Sequence, residues 1–241
     1  MENHETKRAL LKLIGGVQAE RDALYGGLNA KQRDEMGTLA RWAARDHFSH
    51  LAFWYGNFAR QLDASVKNEK VPLVGNYYNE VNDGIFIRNR ERPLEELACE
   101  EMTAWRECVE MLSAMGADDL CDPQKFAWLE GHPMVERALG NMGWHPQSHF
   151  ADYLVKQGQV EKAAALQESF TREIMQFDSW RSNAIYNLGC FYSLNGMTEK
   201  AVACVQEAFG MPDGKRLMEW SKQDTDLDAI RSEAGFKALF G

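Results

Sequence analysis

The chain has 241 residues, of which 45% are hydrophobic and 26% are charged, and its formal net charge is −9. These values are typical of a globular protein of one or two domains rather than of a disordered chain. The excess of acidic residues argues against binding to nucleic acid or to an anionic membrane surface, since both need clustered lysines and arginines. No apolar run approaches the roughly 18 residues of a membrane span, and the polar N-terminus does not resemble a signal peptide.

The composition favours an all-α fold in a reducing compartment. Clusters of Val, Ile and Thr are scarce, so the sequence does not indicate a set of alternating strands. The five cysteines form no CxxC pair, which is typical of reduced thiols in the cytoplasm. We expect them to be small buried side chains rather than nucleophiles; they are Cys99, Cys108, Cys121, Cys190 and Cys204.

The first part of the chain predicts two long helices and a crossover. Apolar residues recur at helical spacing over residues 5–28, where Gly26 and Gly27 should end the first helix. The same spacing predicts a second helix over residues 39–66. Residues 67–92 contain proline and glycine without a regular apolar pattern, and they are predicted to be a long crossover loop.

Two further helices complete this part. Pro93 stands at a favourable first-turn position, and apolar spacing continues from Leu94 through Leu112. A connector follows at residues 118–128, and a fourth helix is predicted over residues 133–157. Four amphipathic helices with one long crossover are typical of an up-and-down four-helix bundle.

The last third contains an internal repeat. The hexapeptide Gly158–Ala163 recurs 38 residues later as Gly196–Ala201, with four identities. A helix–glycine–helix unit at a fixed period is typical of a helical solenoid, whose units bury their faces only by stacking. We therefore predict helical hairpins from about residue 150 onward, packed against the bundle. Their expected close-packing points are Ala163, Ala201 and Ala208.

This region resembles a tetratricopeptide repeat. The segment Asn187–Ala201 has the small residue Gly189 in its first helix, an aromatic residue three positions later and a turn glycine. The tail from Asp224 to Phe240 resembles the element that closes many bacterial arrays of this kind. The resemblance covers roughly residues 150–241 and implies a surface for a protein partner.

The first two-thirds resemble the DinB-like family of four-helix bundles, which includes bacillithiol- and mycothiol-dependent transferases. The resemblance is carried by the segment Trp42–Trp54, in which His50 follows Asp46 by four residues, and by His145 and His149 in the sequence His-Pro-Gln-Ser-His. It implies that His50, His145 and His149 hold a divalent metal ion. Three neutral imidazoles suit Zn or Ni and leave positions open for water or a thiolate.

Several features leave the geometry of this site open. Histidines at i and i+4 of one helix lie on the same side, but Pro146 disfavours a helical conformation at His145. On the second helix, His47 lies nearer than His50 to the centre of the apolar stripe, so the spacing does not choose between them. Asp46 is either an acceptor that orients His50 or a surface carboxylate.

These patterns predict two domains, residues 1–149 and 150–241, and two alternative functions. In the first, the protein is a metal-dependent thiol transferase or hydrolase that activates a thiol or a water for a small-molecule substrate, such as a low-molecular-weight thiol. In the second, it is a non-enzymatic scaffold that binds a protein partner through its repeats. P-loop, dinucleotide-binding and Gly-x-Ser-x-Gly fingerprints are absent, and no catalytic side chain is assigned.

Overall fold

The computed structural model of the protein describes residues 1–75 and 77–240. In these ranges the regular structure is helical and the β-structure is limited to an isolated bridge between Thr38 and Arg41, which confirms the predicted all-α class. Within the same ranges, none of the helices combines the length and the apolar character needed to cross a membrane. The α-helices are α1 Asn3–Gly26, α2 Ala30–Asp34, α3 Ala44–Lys67, α4 Tyr78–Asn89, α5 Leu94–Ala114, α6 Ala117–Cys121, α7 Met134–Ala138, α8 His145–Lys156, α9 Val160–Ile174, α10 Arg181–Leu194, α11 Thr198–Phe209, α12 Gly214–Ser221 and α13 Ala234–Lys237.

Shorter helical turns connect these elements. A π-helical turn, Leu139–Trp144, joins α7 to α8 without a break. The 3-10 helices are Ala127–Leu129, Asp178–Trp180, Thr225–Ile230 and Ala238–Phe240.

The chain divides into two compact units, residues 1–157 and 158–241. Helix α8 belongs entirely to the first unit and extends to Lys156. The boundary predicted after residue 149 therefore falls within α8, whereas the division into compact units falls after residue 157, in the turn that follows this helix.

Helix α3 forms the centre of the first unit. Its stripe residues Leu51, Phe58 and Leu62 are fully buried, as their helical spacing predicts. Each such side chain contributes about 1.5–3 kcal/mol through the removal of apolar surface from water. The helix packs against α5, where the Cys108 thiol donates a hydrogen bond to the carbonyl oxygen of Tyr55 at 3.2 Å. This packing fixes the rotation of α3 and therefore the direction of its histidines.

The crossover between α3 and α5 is not a loop throughout, so that prediction was wrong for its second half. Helix α4 occupies residues 78–89 and packs on α3. It buries only Ile85 and Phe86, so it lacks the regular apolar stripe by which a helix is found in a sequence. The predicted connector at residues 118–128 likewise contains the end of α6 and part of a 3-10 helix.

The second unit contains the two glycine turns of the repeat. Gly158 and Gly196 have left-handed backbone angles, with φ of +75° and +72°, which glycine adopts without steric cost. Gly196 separates α10 from α11, and these two helices pack on each other. Ala163, Ala201 and Ala208 are fully buried, as predicted for close-packing points.

Candidate metal centre

Helices α3 and α8 bring His50, His145 and His149 together, and we call these three residues the histidine cluster. The Nε2 atoms of His50 and His145 lie 2.9 Å apart, and those of His145 and His149 lie 3.1 Å apart. One ligand nitrogen from each residue lies within 4.8 Å of the others. The structure thus brings together the three histidines expected from sequence, in a group that could hold a metal ion.

The spacing of these nitrogens suits a single ion. Two nitrogens bound to Zn²⁺ at 2.0–2.1 Å lie about 2.9 Å apart at a right angle and about 3.4 Å apart at the tetrahedral angle. The two short distances in the histidine cluster, 2.9 and 3.1 Å, fall within this range.

Hydrogen bonding among the rings does not satisfy the histidine cluster. The Nε2 atom of His145 faces the Nε2 atoms of both His50 and His149. A neutral imidazole nitrogen offers either one proton or one lone pair, so only one of these two contacts can be a well-formed hydrogen bond. A cation at the centre would instead use all three lone pairs, and the donor set therefore fits a metal.

Pro146 does not displace His145 from the helix. His145 has α-helical angles, φ −58° and ψ −53°, and its amide donates to the Gly140 carbonyl across the π turn. Proline lacks an amide proton and its ring needs room in the preceding turn, and the wider π turn directly before Pro146 meets both requirements. His145 and His149 therefore keep the i, i+4 relation.

Burial keeps these rings neutral, which is the form that binds metal. It lowers the pKa of His145 to about 4. It also lowers the pKa of His50 to about 2 and that of His149 well below its ordinary value, and mutual repulsion with the neighbouring histidines adds to both shifts.

His47 lies at the edge of the histidine cluster. Both His47 and His50 are buried, each 3% exposed, but only His50 joins the three-nitrogen group. The His47 Nδ1 atom lies 3.2 Å from Nδ1 of His149, and its Nε2 atom lies 3.6 Å from Oδ2 of Asp152. Burial lowers the pKa of His47 to about 4, against an opposing attraction to Asp152. Of the two histidines that the helical spacing left open, His50 is the one that lies in the three-nitrogen group.

Asp46 takes neither of the two roles considered from sequence. Its side chain is buried, and its Oδ2 atom accepts a hydrogen bond from the Ala43 amide at 2.8 Å. A Cβ on Gly37 would lie 1.8 Å from this oxygen, so the loop passes here only because residue 37 is glycine. Burial raises the pKa of Asp46 to about 6. Asp46 anchors the start of α3, the helix that carries His47 and His50.

Two tryptophans flank the histidine cluster. The Trp42 ring is stacked on His149, with centroids 5.7 Å apart and planes 8° apart. The Trp54 ring lies 6.1 Å from His50 and 6.4 Å from His145, and its Nε1 donates to the Asn82 side chain of α4. Both tryptophans are half-buried, as are His145 and His149, so the site is partly open to solvent.

Sequence reasoning missed the contacts of Asp152 and Asn82. Asp152 follows His149 by three residues on α8, and this spacing could have indicated a carboxylate near the histidine cluster. Asn82 lies on α4, which had no helical signal, so nothing in the sequence pointed to it.

A second group of ligand-type side chains lies in the second unit, at Cys190, Asp224 and Asp226. Here protein donors already occupy the Asp224 carboxylate. Tyr186 Oη donates at 2.7 Å and Trp220 Nε1 at 3.2 Å to Oδ2, while the Asp226 amide donates at 3.1 Å to Oδ1. This arrangement caps the 3-10 helix Thr225–Ile230 and has the character of a structural hydrogen-bond network.

All five cysteines carry free thiols. Burial raises the pKa of Cys108 to about 12 and that of Cys204 to about 11, which is the opposite of the shift that activates a nucleophile. The prediction that the cysteines are buried holds for Cys108 and Cys190 and is wrong for Cys99, which is exposed, while Cys121 and Cys204 are half-buried.

No family model, curated protein or solved structure matches the chain. The geometry of the histidine cluster therefore provides the basis for assigning a function.

Proposed function

We propose that the first unit is a DinB-like four-helix bundle and that the protein is a metal-dependent enzyme of the thiol-transferase or hydrolase class. The observation that carries this proposal is the convergence of the three Nε2 atoms of the histidine cluster. The long helical segments support it: α1, α3, α5 and the continuous segment from α7 through α8 follow one another in the order of such a bundle, with the crossover between α3 and α5.

His50, His145 and His149 would hold the ion through Nε2. A bound Zn²⁺ or Ni²⁺ would keep its full charge among three neutral imidazoles and would favour the anionic form of a thiol or water beside it. Trp42 and Trp54 flank the histidine cluster with apolar rings. Structural zinc sites have four protein ligands, so a three-histidine group suits activation of a small nucleophile better than a purely structural role.

We propose a second role for residues 158–241, as tetratricopeptide-like hairpins that bind a protein partner. The left-handed turns at Gly158 and Gly196, and the buried Ala163 and Ala201 at matching repeat positions, support this assignment. In the non-enzymatic alternative, partner binding is the whole function and the histidine site of the bundle is vestigial.

Metal analysis of the untagged, purified protein tests the enzyme proposal. We expect about one Zn²⁺ or Ni²⁺ per chain. His149→Ala should lose the ion while its helical content stays unchanged, because the stability of the helices rests on their apolar stripes. His132→Ala is the matched control, since the His132 side chain is exposed and pairs with Glu136 outside the histidine cluster, and it should retain the ion. Wild-type protein that takes up neither metal would contradict the proposal.

Activity assays separate the two functions. Metal-loaded wild-type protein should consume bacillithiol or mycothiol in the presence of an electrophilic acceptor, or hydrolyse an ester, and His149→Ala should not. Metal uptake without either activity would favour the scaffold.

A further inference from the structure

We propose that His47 is a positioning residue of the metal site, which accepts the Nδ1 proton of His149 and is itself oriented by Asp152. This inference rests on the proposed function, because it concerns how a metal ligand is held. His47 is buried beside the histidine cluster but is not one of its three members, and the inference gives it a role.

The position of the single proton on each neutral imidazole ring leads to this role. If His149 binds a metal through Nε2, its single proton must be on Nδ1. That atom lies 3.2 Å from His47 Nδ1, which must then be the acceptor. The proton of His47 is therefore on Nε2, the atom that lies 3.6 Å from the Asp152 carboxylate. The reversed pair of tautomers would also form a hydrogen bond between the two Nδ1 atoms, but it would place a proton on His149 Nε2 and so exclude the metal there.

Packing holds His47 in this orientation. The side chain is buried, and its ring lies edge-on to Trp42 at 5.4 Å and to Tyr153 at 6.0 Å. Asp152 is held in turn by Lys156, whose Nζ lies 2.8 Å from the same Oδ2 atom. At 3.6 Å the carboxylate acts on the His47 Nε2–H mainly as a nearby charge, and this charge favours the tautomer with the proton on Nε2.

His149 and His50 differ in whether their Nδ1 atom has a hydrogen-bond partner. The His50 Nδ1 atom is buried and has no hydrogen-bond partner among the residues that the structure describes. Metal-ligating histidines almost always donate their second N–H to an acceptor, and loss of that acceptor costs about 10–100-fold in metal affinity or activity. His47 supplies this acceptor to His149, so it should influence metal binding without being a ligand.

The tautomer of His47 can be measured directly. In Zn²⁺-loaded protein labelled with ¹⁵N at histidine, the imidazole spectrum should show His47 protonated at Nε2, with Nδ1 accepting a hydrogen bond. Because the Asp152 charge favours Nε2 protonation in any case, the diagnostic part of the spectrum is the hydrogen bond that His47 Nδ1 accepts from His149. A His47 ring protonated at Nδ1 would overturn the inference.

Two substitutions at position 47 test the role by affinity. His47→Phe keeps the ring shape but removes the acceptor, and it should weaken Zn²⁺ binding by about 10–100-fold. His47→Asn places an amide oxygen near the position of Nδ1, and it should bind Zn²⁺ within about 3-fold of wild type, a smaller loss than the roughly 10–100-fold expected when the acceptor is removed. Equal affinities for wild type and His47→Phe would overturn the inference.

The two proposals fail in distinguishable ways. If His149→Ala binds Zn²⁺ as tightly as wild type, the metal site itself is wrong. If His149→Ala loses Zn²⁺ while His47→Phe binds normally, only the role of His47 is wrong. Should His47→Phe fail to fold, the tautomer measurement on wild-type protein decides the matter.

Discussion

The histidine cluster of the first unit and the Cys190, Asp224 and Asp226 group of the second unit both gather metal-ligand atoms within 4.8 Å, yet they differ in what those atoms already bind. In the histidine cluster, three lone-pair-bearing nitrogens face one another and cannot all be satisfied by protons. In the Asp224 group, tyrosine, tryptophan and amide donors satisfy the central carboxylate.

This comparison shows that proximity of ligand-type residues does not define a metal site. A carboxylate that already accepts several hydrogen bonds would have to lose them to bind an ion, and that loss opposes binding. Neutral imidazoles whose lone pairs converge lose little when an ion arrives. The number of protein donors already bound to a candidate ligand therefore discriminates between the two groups.

The largest expected effect is on metal affinity. His50→Ala removes one of three converging nitrogens and should lower the Zn²⁺ affinity by at least about 100-fold, more than loss of an outer contact would. Cys190→Ser should leave the affinity unchanged, because the Asp224 group is not expected to bind metal. Competition with a chromophoric chelator measures both Zn²⁺ affinities. A lower Zn²⁺ affinity of the Cys190→Ser variant would show that the two groups had been distinguished wrongly.

The next effect is on stability. Asp224→Ala leaves the Tyr186 hydroxyl without its acceptor and should lower the free energy of unfolding by about 2–3 kcal/mol, with no change in metal content. Asp228→Ala is the control on the same 3-10 helix. The exposed Asp228 carboxylate forms an ion pair with Arg231, so its loss should change the free energy of unfolding by less than about 0.5 kcal/mol. Chemical denaturation measures both, and equal effects would remove the structural role of Asp224.

The smallest effect concerns pH. Since the pKa of His145 is about 4 in the fold and 6.5 in the unfolded chain, the unfolded state binds more protons between these values, and the metal-free protein loses stability as pH falls from about 6.5. His145→Gln should reduce the loss between pH 6.5 and 5 by on the order of 1–2 kcal/mol. Burial raises the pKa of Glu101 to about 7, and this shift increases stability as pH falls. The contribution of Glu101 is the same in wild type and in His145→Gln, so it cancels in the comparison.

Denaturation curves of wild type and His145→Gln at the two pH values provide the comparison. Asp224→Ala, in the second unit, should leave the pH dependence of the stability of the first unit unaltered. Identical pH dependences for wild type and His145→Gln would mean that this ring is not buried in its neutral form.

Much of the fold follows from local patterns in the sequence. Apolar spacing predicts α1, α3, α5 and the segment from α7 through α8, because a buried helix face needs such a stripe. The positive φ angles at Gly158 and Gly196 follow from the ease with which glycine adopts them. Helix α4 could not be predicted, because only Ile85 and Phe86 of its residues are buried and Gly84 has a low helix propensity.

For the site, the sequence by itself determined which residue types were available and that His145 and His149 could share one helix face. It did not determine whether His47 or His50 would meet them, because residues three apart on a helix lie only about 60° from each other around its axis. The packing of α3 against its neighbours selected His50 for the histidine cluster and directed His47 to Asp152. The π turn, likewise a product of the tertiary fold, kept His145 in register despite Pro146.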